Sequence, residues 1–247
     1  MDLRNLAQSC RQQTMNQWPA IIDAHFQQLE KIMIDAQEKS SSTFTDIIDV
    51  LAVRLFPDGT LSNVGSENIV YRKDLYGTIS TLALDLPDSI VAVTPNMIES
   101  WGKNADELFS LGYKNVVKLC KPDIVEAVLA GDIKTLMLSK PDNYLASTYI
   151  LLLDDFPNCV GAFGALVGAP LRDIVICYPI DNSQNIDRAA QVLAFTTLDI
   201  YKEGPGSVSP YLYWYYKGRF ENILYDEKHG SKIPQELTKM FNPDLLA

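Results

Sequence analysis

Apolar residues recur at steps of three and four along the start of the chain, at Leu3, Leu6 and Cys10 and again at Ile22, Phe26, Leu29 and Met33. That spacing lines one face of a helix, so two helices are expected, with Ile22, Phe26, Leu29 and Met33 as the buried stripe of the longer one. Trp18-Pro19 parts them, because proline is tolerated in a first helical turn and not in an interior. The serine-rich run from Glu38 to Thr45 reads as a loop. Ile47 to Phe56 reads as a strand ended by the turn signal Pro57-Asp58-Gly59, with a loop from there to Asn68.

Thr78 to Leu84 alternates in polarity and Ser89 to Val93 is β-branched, which predicts a meander turning at Leu86-Pro87-Asp88. Thr94 followed by Pro95 starts a short helix. Asn104 with Glu107 has the spacing of a helix-capping pair, and Leu108, Leu111, Val116 and Leu119 follow at helical spacing across Gly112. Pro122 to Leu129 reads as a helix stopped at Gly131, and Thr135 to Leu138 as a short strand. Tyr144 to Leu153 is a buried segment that Ala146 and the cap Asp142-Asn143 favour as helix over strand. Val160 to Ile180 holds two strands around Gly168-Ala169-Pro170, and Ile186 to Tyr201 is an amphipathic helix. After the connector Gly204-Pro205-Gly206-Ser207, Tyr211 to Tyr225 folds back at Lys217-Gly218, where glycine supplies the positive φ of a hairpin turn. Gln235 to Phe241 is a terminal helix. Helices and strands come in clusters, which predicts an α+β fold: N-terminal helices, a mixed or antiparallel sheet and a C-terminal β-hairpin. No long linker interrupts 1–247, so a single α+β domain is expected, with 1–40 readable as a helical N-terminal extension.

Charge narrows the function. There are 31 acidic against 21 basic side chains, a net charge of −10. Such a field repels phosphate backbones, so nucleic acid is not an expected partner. The nearest basic groupings, Lys114, Lys118 and Lys121 and then Lys217 with Arg219, read as solvated faces. The beginning of the chain is polar, and Tyr149 to Leu153 is far too short an apolar run to span a bilayer, so a soluble cytoplasmic chain with no membrane partner is expected. Cys10, Cys120, Cys159 and Cys177 stand apart in apolar surroundings, which suits buried free thiols.

The familiar chemical motifs are missing. His25 and His229 are the two histidines, the first on a helix with no partner four residues on, the second in a polar loop. There is no His-Glu-x-x-His, no cysteine–histidine metal spacing and no phosphate-cradling glycine loop, so no metal or cofactor is expected. Two groupings could carry chemistry. Asp154-Asp155 could hold a cation or work as an acid/base pair, or simply mark a polar helix end. Arg172-Asp173 could be an ion pair or turn, or an arginine held ready for an anion. The densest feature is Tyr211-Leu212-Tyr213-Trp214-Tyr215-Tyr216. With Lys217-Gly218 as a two-residue loop, Tyr215 faces Phe220, Tyr213 faces Asn222 and Tyr211 faces Leu224, while Trp214 points to the other side. One side must pack on the core. The other is either a second core layer or an aromatic face for a protein partner, through Tyr211, Tyr213, Trp214 and Tyr215.

Several short motifs stand in a suggestive order: Val53-Arg54-Leu55, Asp85-Leu86-Pro87 with Ile90, Trp101-Gly102 with Glu107-Leu108 and Asn115, Tyr144-Leu145-Ala146-Ser147, and Pro170-Leu171-Arg172-Asp173. In this order, over about 47–180, the chain resembles the uncharacterised bacterial proteins grouped as domain of unknown function 1444. The resemblance implies an α+β bacterial cytoplasmic protein and no catalytic residues. The leading expectation is thus a non-catalytic interaction protein of immunity or adaptor type that binds a basic protein. The rival is an enzyme with a site around Arg172, Asp173, Asp154 and Asp155.

Overall fold

The computed structural model describes residues 3–87, 89–141, 143–182, 185–226 and 230–241. Asp88 of the expected turn, Asp142 of the expected cap and the loop at His229 lie outside the described residues. The fold is α+β, and every described strand pairing is antiparallel. The chain divides into two compact units. One comprises the chain up to Asp74, Thr78–Lys121 and Glu203–Gly206; the other comprises Leu75–Gly77, Pro122–Lys202 and the chain from Ser207 onward.

The first unit opens with helices α1 (Arg4–Arg11) and α2 (Trp18–Lys39) and the single turn α3 (Phe44–Ile47). Strand β1 (Leu51–Pro57) follows, then α4 (Thr60–Val64), β2 (Tyr71–Arg72), β3 (Thr78–Asp85) and β4 (Ile90–Ala92). Helices α5 (Pro95–Trp101) and α6 (Ala105–Leu119) complete it. Strand β3 is central, with β1 on one side and both β2 and β4 on the other. Its core gathers Leu51, Val53, Leu82 and Leu84 from the sheet against Met97, Trp101, Leu108 and Phe109 from α5 and α6.

Local chemistry accounts for the helix ends. The Thr94 hydroxyl accepts from the Met97 N–H, and the Asn104 side chain accepts from the Asp106 N–H at 2.7 Å. Asn115 is buried in α6, and its Nδ2 donates to the carbonyls of Ile48 and Leu51 at 2.7 and 2.9 Å, tying the helix to the start of β1. Gly112 has a packing reason: a methyl there would lie 2.9 Å from Val53 Cγ2 and 3.1 Å from the Ala52 carbonyl carbon. The expected strand from Ile47 starts later, because Thr43 caps α3 with Asp46 at its third position. The expected loop to Asn68 contains α4.

In the second unit the sheet has seven strands: β5 (Asp123–Leu129), β6 (Ile133–Ser139), β7 (Ala165–Leu171), β8 (Ile174–Pro179), β9 (Leu212–Tyr216), β10 (Arg219–Asp226) and β11 (Gly230–Lys232). Their order is β11-β10-β9-β7-β8-β6-β5. Helix α7 (Ile186–Glu203) brings Ala189, Ala190 and Leu193 onto one face, over Leu166, Ile176, Leu212, Trp214 and Ile223, and α8 (Gln235–Phe241) adds Leu237. The 3₁₀ helix Ala146–Asp155 packs against β7 and β8, and Pro157–Cys159 against β8.

Two expectations are corrected here. Pro122 to Leu129 is not helical; it is β5, paired with β6 from Asp123↔Ser139 to Leu129↔Ile133. Glu126, Ala127 and Leu129 are good helix formers, but β-branched Ile124, Val125 and Val128 and the turn at Ala130 and Gly131, both at positive φ, bind the segment to β6. The turn of the next hairpin is Arg172-Asp173 rather than Gly168-Ala169-Pro170, where β7 instead carries a register shift.

Candidate interaction surfaces

The C-terminal ribbon has the register expected for a loop at Lys217-Gly218, with Tyr215 opposite Phe220 and Tyr213 opposite Asn222. Both loop residues have positive φ, at 48° and 76°, which suits the right-handed twist of a tight hairpin. The ribbon does not end the sheet: β9 is also paired with β7 along its other edge, Leu166 opposite Trp214 and Val167 opposite Tyr213.

This placement removes the open aromatic side. Tyr213, Trp214 and Tyr215 are each at most 3% exposed. Trp214 points into the α7 layer, and its Nε1 donates to the Phe163 carbonyl at 2.9 Å. On the opposite face, Tyr213 Oη donates to the Tyr76 carbonyl at 2.7 Å and accepts from the Ser209 hydroxyl at 2.6 Å. Tyr215 Oη is hydrogen bonded to Asp154. Burial, then this bond and the charge of Asp154, pushes the Tyr215 phenol up to about 12. Tyr211 is half-buried, its ring edge-on to Tyr76 with centroids 4.9 Å apart. The expected partner face of Tyr211, Tyr213, Trp214 and Tyr215 is therefore corrected: three of its four members belong to the interior, because a central strand covered on both faces buries both sets of side chains.

The polar candidates are placed apart in function. Asp154 is exposed and engaged by Tyr215, and Asp155 is exposed at the end of its 3₁₀ helix. Arg172 and Asp173 form the tight turn between β7 and β8. The Arg172 guanidinium lies 3.7 Å over the Tyr144 ring, its carbonyl accepts from Ser147 N–H at 2.9 Å, and the Asp173 carbonyl accepts from Lys140 N–H at 3.1 Å. No described hydrogen bond or ion pair links this turn to Asp154 or Asp155. Among the described residues no three His, Cys, Asp or Glu side chains gather closely enough to hold a metal ion. An open groove of about 560 Å³ beside β10, β11 and α8 is lined by Glu221 and Glu236 with Lys232 and Lys239, a mixed surface without a histidine or thiol. All four cysteines are buried and free, and the Cys159 and Cys177 thiols hydrogen bond to one another.

Exposed apolar side chains are found elsewhere. Helix α2 has no buried residue among its described side chains. Its half-buried positions are Trp18, Ile21, His25, Leu29, Ile32, Asp35, Ala36 and Lys39, a helical stripe that is mostly apolar up to Ala36. Of the stripe expected to be buried, only Leu29 lies on this inner side. Ile22, Phe26 and Met33 face outward, at 37%, 47% and 73% exposure. The sequence shows two apolar stripes about one residue apart, and packing against β4 and α1 selects the other one.

Strand β5 is the second such place. It lies at the end of the sheet, and Ile124, Val125 and Val128 are 47%, 53% and 58% exposed. Neither site was visible as a surface in the sequence, since each reads as an ordinary buried element there. Comparison with family models, curated proteins and solved structures gives no match. The class is thus defined by architecture: an α+β protein of antiparallel sheets. Among its described residues no helix is long and apolar enough to cross a membrane.

Proposed function

We propose that this chain is a non-catalytic interaction protein, of immunity or adaptor type, that docks a basic protein on the outward face of α2. The observation that carries the reading is the second apolar stripe of α2, Ile22, Phe26 and Met33, left exposed. Scattered surface apolar residues need no explanation, but a stripe running along one helix fits a docking face. The net charge of −10 supports a basic partner, because an acidic field raises the rate of encounter with one and disfavours acidic competitors. Bacterial origin, implied by the resemblance to domain of unknown function 1444, belongs to the same proposal.

The enzyme reading has less support. Two of its four residues are held by separate partners, Arg172 by the Tyr144 ring and Asp154 by Tyr215. The test is affinity capture from the source cells with the wild-type chain and with Phe26→Asp/Met33→Asp, quantified by mass spectrometry. A basic protein retained in stoichiometric amount by the wild type and lost from the double variant, with Tm nearly unchanged, is expected. Identical capture by both chains, or no specific capture, would remove the reading.

A further inference from the structure

We infer that the outer edge of β5 is a second, independent docking site, which takes an extended segment of a partner protein with a basic residue between two apolar residues on the same face, each two positions away from it. An edge strand presents a row of N–H and C=O groups that recruits another strand, and natural proteins shorten, charge or cover such edges. Here the edge is long: β5 runs for seven residues and its one described neighbour is β6. It is also apolar on both faces. Ile124 and Val128 share one face with Glu126 between them, and Val125 stands on the other. An occupant that supplies main-chain hydrogen bonds and apolar side chains would cover both kinds of group at once.

Charge decides which occupant. Asp123 has a cross-strand neighbour in Lys140, at 3.7 Å, whereas Glu126 is exposed and takes part in no described ion pair. A second copy of this chain fits poorly. Two β5 strands joined edge to edge in a continuous antiparallel sheet are related by a two-fold axis normal to the sheet. Full overlap then sets Glu126 directly opposite Glu126, roughly 5 Å apart, a destabilising pair. Sliding the register to avoid this places Glu126 against Ile124 or Val128 and shortens the ladder. Each copy also brings a charge of −10. A basic side chain opposite Glu126, flanked by apolar residues against Ile124 and Val128, satisfies the same strand without conflict. Glu126 thereby disfavours self-pairing and selects the partner.

The experiment is an NMR titration of the ¹⁵N-labelled full chain with an acetylated, roughly eight-residue peptide with the core Val-Thr-Lys-Thr-Val, a length matched to β5, in which the lysine and both valines share one face. Controls are the same peptide with glutamate for lysine and a version with prolines replacing two valines. Amide shifts confined to 123–129 and the facing β6, about tenfold tighter binding of the lysine peptide than of the glutamate peptide, and loss with the proline peptide are expected. Glu126→Lys, an exposed change that leaves the fold intact, should invert the preference between the two charged peptides. Shifts absent from 123–129 at millimolar peptide would overturn the inference. So would equal binding of the charged peptides, full binding of the proline peptide, or a β5-mediated dimer of the free chain by sedimentation. None of these outcomes depends on α2, so failure here and failure of the proposed function are separate results.

Discussion

Tyr213 and Trp214 are adjacent in sequence and point to opposite faces of β9, and each finds both an apolar bed and a partner for its polar atom. Truncation of either to alanine should remove about 3–5 kcal/mol of stability, the usual range for a large buried aromatic. Tyr213→Phe isolates the hydroxyl: the Tyr76 carbonyl and the Ser209 hydroxyl lose their partner, at a cost of about 1–3 kcal/mol. Chemical denaturation of the three variants checks both values. An alanine variant that loses less than about 1 kcal/mol would mean that its face of the strand is open after all.

At the scale of elements, the contact between α6 and β1 turns on a missing side chain. Alanine normally stabilises a helix interior over glycine by about 1 kcal/mol. At Gly112 the sign should reverse. The added methyl would meet the buried, stiff Val53 side chain at 2.9 Å and the backbone of Ala52 at 3.1 Å, and neither is a flexible side-chain end that can swing away. Gly112→Ala should therefore destabilise by about 1–3 kcal/mol, the usual cost of overpacking. Thermal unfolding decides it, and a higher Tm than wild type would show that α6 can move off the sheet at little cost. The same reasoning explains why a glycine that weakens the helical pattern in the sequence sits in the middle of a well-formed helix.

For the molecule as a whole, the alkaline limit should be set by its buried phenols. Burial, with the charge of Asp74 next, holds the Tyr113 hydroxyl well above its ordinary range; Tyr215 is raised to about 12, and burial and Asp181 raise Tyr178. In the unfolded chain these groups lose their protons near pH 10. Above that the unfolded state binds fewer protons than the native one, so stability falls as pH rises. The contribution of Tyr215 is complete below about pH 10 and is lost by about pH 12. Unfolding midpoints measured between pH 8 and pH 12 should hold level and then decline. Tyr215→Phe should flatten the decline, which separates the phenol from the general repulsion of an acidic chain losing its lysine charges.

Local chemistry written in consecutive residues determined much of this protein without tertiary help. The caps at Thr94 and Asn104, the turn at Lys217-Gly218 with its register, and the amphipathic α7 all depend on hydrogen bonds or backbone angles within a few residues, and all were legible. Tertiary structure decided what each element faces. The stripe Ile22, Phe26 and Met33 has the period of a buried face, yet the neighbouring stripe took that place because β4 and α1 lie against it. Ile124 to Leu129 can be helix or strand by propensity, and pairing with β6 settled it. The aromatic ribbon could have been an edge hairpin with one open face; insertion of β9 between β10 and β7, under α7 on one side, made it interior. Periodicity reports that a side chain has an apolar neighbour somewhere along its face, whereas burial depends on which distant segment arrives to cover it.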